Sequence, residues 1–471
     1  MPAAGTPTGT PTCDVREANA RHMLHPMIDP KVVRQNPPLI IERGEGVHVW
    51  DIDGKRYLDT VASLWNVNVG HNRREIIDAI TAQLGRLAYY STFQNTSNPP
   101  AIELSARLAR MFAPEKMRKV LFSSGGSDAV ETALKLARQY WKLEGQGERT
   151  KFLSLKLGYH GVHFGGASIN GNPLFRSAYE PLMPGCFQIE SPYLYRNPWN
   201  ETDPERLAAL CLDELDRAIQ YQGPQTIAAF VAEPVQGAGG VIVPPASYWP
   251  GVRRVLDKYG ILLISDEIVT GFGRIGAACG ARAWGVAPDI MAIAKGLGGG
   301  YLPLGAAVYQ QSILETLIKH DGGPLTGHTF TAHTAACAAG VAVQRIVQRD
   351  GLVARVASEG EVLKSLLRGA LRGIEAVGDI RGRGFFVGVE FVADRATRAP
   401  FDPALMLSAR IGKHGVRRGL MCYPVSGNVD GSRGDAVILA PPYITTREQL
   451  QEIVGLFADC VRAALLDVGR A

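Results

Sequence analysis

Four short stretches of the chain place chemically capable residues where a fold would present them. The first is Ser123-Ser124-Gly125-Gly126-Ser127, small residues between an apolar run and a helical pattern. Small residues let backbone N–H groups approach a ligand, and a helix N-terminus favours a phosphate. The plain alternative is an ordinary strand-to-helix turn. No Walker lysine follows, which disfavours a nucleoside-triphosphate loop. The second stretch is Asp266, directly after ILLIS, with Glu267 beside it. A carboxylate at the end of a buried strand needs a partner. A protonated heterocyclic nitrogen is one; a helix cap or a salt bridge is another.

The third is Lys295, in DIMAIAKGLGGG, where an apolar run delivers one lysine to a glycine-rich turn. A lysine in a low-dielectric pocket has a depressed pKa and attacks carbonyls. A strand-end lysine can equally reach for solvent. The fourth is Glu233-Pro234 after IAAFVA, again a carboxylate at a strand's end. One ligand uses all four: it needs a phosphate cradle, an anion for a ring nitrogen and a Schiff-base amine. Pyridoxal phosphate (PLP) has those needs.

The elements that must hold these groups can be read from periodicity. Strand candidates are 119–123, 152–155, Ile227–Ala232, 261–265, Ile290–Ile293 and 304–309. They are continuously apolar, as expected of strands buried on both faces. Helical patterns lie between several of them, such as 128–143 and Tyr248–Tyr259. This alternation predicts a mainly parallel α/β sheet. Ligands of such sheets gather at the carboxyl ends of the strands, where the four stretches fall. Residues 46–58 read as a hairpin around Asp53-Gly54, and a helical pattern starts near Arg74. From about Thr331 the chain turns helical, with strand-like 385–391 and 437–439 in a smaller α+β lobe.

The whole chain agrees. Its 471 residues are 46% hydrophobic and 20% charged, a soluble globular composition too long for one simple core. The net charge of +5 is small and no dense Lys/Arg run occurs, so nucleic acid is not an expected partner. The seven cysteines (13, 186, 211, 279, 337, 422 and 460) are odd in number and lack CxxC spacing. That argues against a disulfide framework or a zinc site; no metal is expected, and a reducing compartment is. Residues 1–12 lack the pattern of a secretion signal, and no stretch reads as a membrane span. A cytoplasmic location is the expectation.

The segments SDEIVTGFGRIG (265–276) and PDIMAIAKGLGGG (288–300) match the signature of the class III, fold-type I aminotransferases. The resemblance runs from about His25 to Leu465, nearest to the amine:pyruvate (ω-transaminase) branch. It implies a large domain on a mainly parallel seven-stranded sheet plus a smaller α+β domain. Residues 1–18 are then a flexible tail, 19–75 the N-terminal segment of the small domain, 76–335 the large PLP-binding domain and 336–471 the C-terminal small domain.

By matching position, Lys295 resembles the Schiff-base lysine, which also shuttles the substrate proton. Asp266 resembles the aspartate that keeps the pyridine nitrogen protonated. Ile268 and Tyr159, in Tyr159-His160-Gly161, resemble the residues on the two ring faces. Gly125, Gly126 and Ser127 match the phosphate turn. Thr329, in GHTFTAH, resembles the threonine that reaches the neighbouring subunit's phosphate, so a homodimer or a tetramer of dimers with composite sites is implied. Glu233 matches a glutamate with a structural or orienting role near the cofactor. Leu64, Trp65, Tyr89 and Tyr159 match walls of the substrate pocket. Phe93 is read as core.

Two departures stand out. Ornithine- and γ-aminobutyrate-type relatives carry a second glutamate where this chain has Ala238. The amine:pyruvate relatives place a carboxylate-gripping arginine where this chain has Tyr423. Arg433, in a loop over 426–435, can supply a guanidinium fork instead, or can be a solvated loop residue. The implied reaction is a ping-pong transfer of an amino group from an amine to a keto acid. The rivals are a PLP aminomutase or decarboxylase of the same fold, and a non-catalytic scaffold.

Overall fold

Seven strands form the central sheet of the computed structural model, which describes residues 14–470. They are β1 (Met117–Ser123), β2 (Lys151–Leu155), β3 (Cys186–Ile189), β4 (Ile227–Ala232), β5 (Leu262–Asp266), β6 (Ile290–Ile293) and β7 (Gly305–Gln310). Their spatial order is β1-β7-β6-β5-β4-β2-β3. Only β7 runs antiparallel to its neighbours. Every residue of β4, β5 and β6 is buried, which is why these strands are apolar without alternation. The expected strands are present, with bounds shifted by at most two residues. The half-buried edge strand β3 is an addition.

Helices cover the sheet. The helix Gly126–Leu143 starts within the small-residue stretch, directly after Gly125, and buries its apolar stripe against β6 and β7. Pro204–Gln222 and Tyr248–Tyr259 pack beside β4 and β5. Arg74–Arg86 lies against Thr334–Arg349, and Ile76 joins an apolar cluster with the C-terminal helix Arg447–Asp467.

Two smaller sheets complete the chain. The expected hairpin, His48–Asp51 with Arg56–Asp59, pairs with Ile41–Glu45 on one side and with Leu420–Met421 on the other. The second is antiparallel: Val377–Gly382, Val387–Phe391, Asp435–Leu439 and Tyr423–Ser426. Arg274 ties the parts together. It is fully buried and donates to the carbonyls of Phe385, Ala440 and Pro441 at 2.8–3.0 Å and to Asn68 Oδ1 at 2.6 Å.

Of the tail expected over 1–18, residues 1–13 lie outside the described residues, and Val15–His22 is a helix capped by Asp14. The described cysteines are all free thiols, and Cys13 lies outside the described residues. No helix among the described residues is long and apolar enough to cross a membrane.

Candidate active site

The carboxyl ends of β4, β5 and β6 lie side by side, because Ala232 pairs with Ser265 and Asp266 with Ala292. Glu233, Asp266 and Lys295 follow from those ends. All three line one cavity of ≈ 280 Å³, together with Gly125, Gly126, Ser127, Tyr159 and Ile268. Leu64, Trp65 and Ala238 line it too. The sheet thus closes the 170 positions of chain that separate Gly125 from Lys295.

Lys295 opens a one-turn 3₁₀ helix, Lys295–Leu297, with φ +45°. A non-glycine residue in the left-handed region is held there by its surroundings, and such strain clusters at functional sites. Its Nζ sits 5.4 Å from the centroid of the Trp65 ring. Burial pushes the amine's pKa below the ordinary lysine value; the charges of Asp266 and Glu233 oppose this without cancelling it.

Asp266 is 3% exposed. One oxygen accepts the Ile268 N–H at 3.1 Å, and the other lies 2.8 Å from His160 Nδ1. Burial alone would lower the pKa of the fully enclosed His160, but the hydrogen bond and charge of Asp266 win and raise it. The contact with Asp266 thus favours the protonated form of the imidazole. Glu233 accepts the backbone N–H of Tyr159 at 2.9 Å and of Gly237 at 2.8 Å. Burial lifts its carboxyl to about 7, aided by the nearby Asp266 charge and opposed by His160.

The small-residue turn behaves as its sequence implied. Gly125 precedes the eighteen-residue helix Gly126–Leu143, and no side chain caps that N-terminus. The first-turn N–H groups of any α-helix lack internal acceptors. A Cβ on Gly125 would meet nothing within 4 Å, whereas one on Gly126 would press on Ile268 at 3.0 Å. The turn thus has open space on one side and the Ile268 side chain packed on the other.

Trp65 also has a left-handed backbone, φ +61°. Its ring meets Phe386 and Tyr423 edge-on, at centroid distances of 5.5 and 5.1 Å, and its buried indole N–H has no partner. Tyr423 reaches the site through this contact.

The remaining expected residues are elsewhere. Tyr89 donates its hydroxyl to the Thr329 carbonyl and packs edge-on against Phe330. Neither Tyr89 nor Thr329 is among the residues lining this cavity. Phe93, expected in the core, is 50% exposed, on a turn where Gln94 and Asn95 take positive φ. Arg433 pairs with Asp430 at 2.6 Å on the surface of its loop, outside the cavity lining. The structure adds His160, Asn66, Val269, Gly300 and 302–304 to the site. Of these, His160 was visible as part of the Tyr159-His160-Gly161 motif, but its partner is 106 positions away.

The class III aminotransferase family model matches residues 31–461. The chain belongs to the class III aminotransferases. An amine transaminase from an uncultivated Pseudomonas species, solved in its PLP-bound form, is 46% identical, with a TM-score of 0.89 over 95% of this chain and 99% of that one. A thermostable (S)-enantioselective ω-transaminase from Thermomicrobium roseum is 40% identical, with a TM-score of 0.88 over 96% and 97%. The putrescine–pyruvate aminotransferase of Pseudomonas aeruginosa is 35% identical over 456 residues, 96% of this chain and 97% of that protein. The cofactor of this class III aminotransferase is PLP. The cavity fits it by its donor set: one amine of lowered pKa, one buried carboxylate on a second strand end, and an uncapped helix N-terminus facing open space.

Proposed function

We propose that this class III aminotransferase moves an amino group from an amine or ω-amino acid to a keto acid, with pyruvate as acceptor, in two half-reactions. The observation that carries the proposal is the placement of Lys295 and Asp266 on adjacent strand ends lining one cavity. Similarity to amine and ω-transaminases and to a putrescine–pyruvate enzyme supports the donor and acceptor classes. Ala238, at the place of the second glutamate, supports them as well.

In this reading Lys295 would hold PLP through Nζ, and the same Nζ, freed as a neutral amine, would carry the proton from the donor's carbon to the cofactor's carbon. The N–H groups of Gly125, Gly126 and Ser127 bind the phosphate, and Asp266 binds the ring nitrogen. Tyr159 and Ile268 flank the ring. Bound there, PLP supplies an electron sink that makes the carbon bearing the amine acidic. Leu64 and Trp65, the latter backed by Tyr423, form an apolar wall that selects the amine's substituent.

The same reading includes a homodimer with shared sites. Tyr89 and Thr329 meet each other 240 positions apart, Phe330 packs on Tyr89, and the aromatic Phe330 is itself exposed. Light scattering on purified protein should give at least twice the 50.8 kDa chain mass.

A panel of amine donors, run with pyruvate and with 2-oxoglutarate, tests the function. Turnover should need an added keto acid and be faster with pyruvate. Lys295→Ala should abolish it. Near wild-type transamination by that variant, or turnover without acceptor, would overturn the proposal.

A further inference from the structure

Tyr159 lines the cavity together with Ile268, and nothing in the catalytic set fixes its ring. Its backbone is held at one point by Glu233, which accepts its N–H. The segment 170–175 holds the rest. Asn170 is fully buried, and its amide clips the chain just past Tyr159 from two sides: Oδ1 accepts the His160 N–H at 2.6 Å, and Nδ2 donates to the Gly161 carbonyl at 3.0 Å. Gly171 donates to the Gly158 carbonyl at 2.9 Å, just before Tyr159. That approach needs glycine, since a Cβ there would sit 2.2 Å from the Leu155 carbonyl oxygen.

The ring itself is set by Phe175. It ends the short 3₁₀ turn Pro173–Phe175, capped by Asn172, and meets the Tyr159 ring edge-on, with centroids 4.8 Å apart and planes at 64°. Edge-to-face pairs are directional, so the contact fixes tilt as well as position.

We infer that Asn170 and Phe175 are positioning residues of this active site: Asn170 fixes the backbone that carries Tyr159 and His160, and Phe175 fixes the tilt of the Tyr159 ring. Because His160 holds Asp266, the Asn170 amide sets both the ring wall and the carboxylate's partner. Neither residue lines the cavity. The inference rests on the proposed reading only in that Tyr159 faces PLP and the amine's substituent.

Phe175→Leu keeps apolar bulk and removes the ring edge, whereas Phe175→Tyr keeps the edge. Two readouts separate positioning from stability: the PLP dissociation constant of the apoenzyme, by titration, and KM against kcat for an arylethylamine. An aromatic pair of this kind corresponds to a change of about threefold to tenfold. Phe175→Leu should raise both the PLP dissociation constant and the arylamine KM by that factor, with kcat within about twofold, and Phe175→Tyr should restore both. Asn170→Ala should move both in the same direction.

A lower melting temperature for Phe175→Leu with both constants unchanged would make its role merely structural and overturn the inference. So would equal effects of the Leu and Tyr variants. Failure of wild-type apoenzyme to bind PLP would instead sink the functional reading beneath it.

Discussion

His160 Nδ1 lies 2.8 Å from Asp266 Oδ2, and both side chains are shut off from solvent. The imidazole thus occupies one carboxylate oxygen from behind, while the Ile268 N–H occupies the other. Each oxygen of this cavity-lining carboxylate therefore has a donor, which fixes how the side chain is held.

Removal of His160 should therefore weaken both fold and cofactor binding. His160→Asn takes the imidazole away from the buried Asp266, a change costing about 3 kcal/mol. The histidine's folded pKa is raised, so the pair's contribution is complete below about 6.5 and is lost as pH climbs past the raised value. Urea unfolding of the two apoenzymes should show the largest gap near pH 6 and a smaller one in alkaline buffer. A gap that widens with pH would contradict the charged pair.

Lys295 titrates in the opposite sense. Burial lowers its pKa, so the neutral, nucleophilic amine forms below the ordinary lysine value of about 10.4. The rate at which apoenzyme captures PLP, followed by absorbance, should rise with pH and level off below that value. Because the unfolded chain binds the extra proton, apoenzyme stability should also gain from this group as pH rises toward 10.4. A capture rate still climbing past pH 11 would place the amine in solvent.

Much of this architecture was legible because burial on both faces leaves a plain signature. Strands β4 and β6 were read to the residue from uninterrupted apolar runs, and their ends gave Glu233 and Lys295. The edge strand β3 and the strand Val377–Gly382 carry no such signature, since half-buried edges carry mixed residues. Pairings across the fold were beyond reach: nothing near Asn170 announces its clip on His160 and Gly161, and Phe175 looks like any loop aromatic. Arg433 shows the converse. Its type and neighbourhood fit a carboxylate fork, yet Asp430, three positions back, captures it locally.

Arg433→Ala should accordingly leave the pyruvate KM within about twofold. The side chain is 56% exposed and its pair with Asp430 is a surface one, worth at most about 1 kcal/mol. Steady-state kinetics at varied pyruvate check this directly. A tenfold rise in KM with kcat unchanged would mean that the loop swings the guanidinium into the site.

Glu233→Gln tests the raised carboxyl. Its pKa of about 7 means that the folded protein holds a proton which the unfolded chain, with a carboxyl near 4.3, has released. The sign is the reverse of a salt-bridged acid: stability is greatest below pH 4.3 and falls as pH rises toward 7. The glutamine variant lacks this dependence. The wild-type minus variant difference should thus shrink by roughly 3 kcal/mol at most across that window, measured by chemical denaturation of the apoenzymes. A flat difference would show that the two backbone N–H donors, from Tyr159 and Gly237, already keep the carboxylate ionised.

Trp65 lines the cavity, and in the proposed reading it sets how large an amine substituent is admitted. Its ring is gripped edge-on by Phe386 and Tyr423, and its indole N–H has no partner, so truncation breaks packing without orphaning an acceptor. Trp65→Ala should cost about 3–5 kcal/mol from lost burial and the cavity left behind. The same change opens the ≈ 280 Å³ cavity toward Tyr423. Bulky arylalkylamines should then gain kcat/KM relative to small aliphatic amines, and that ratio is the quantity to measure. If both classes lose rate equally, the indole serves to hold Lys295, 5.4 Å away, and not to set the size of the pocket.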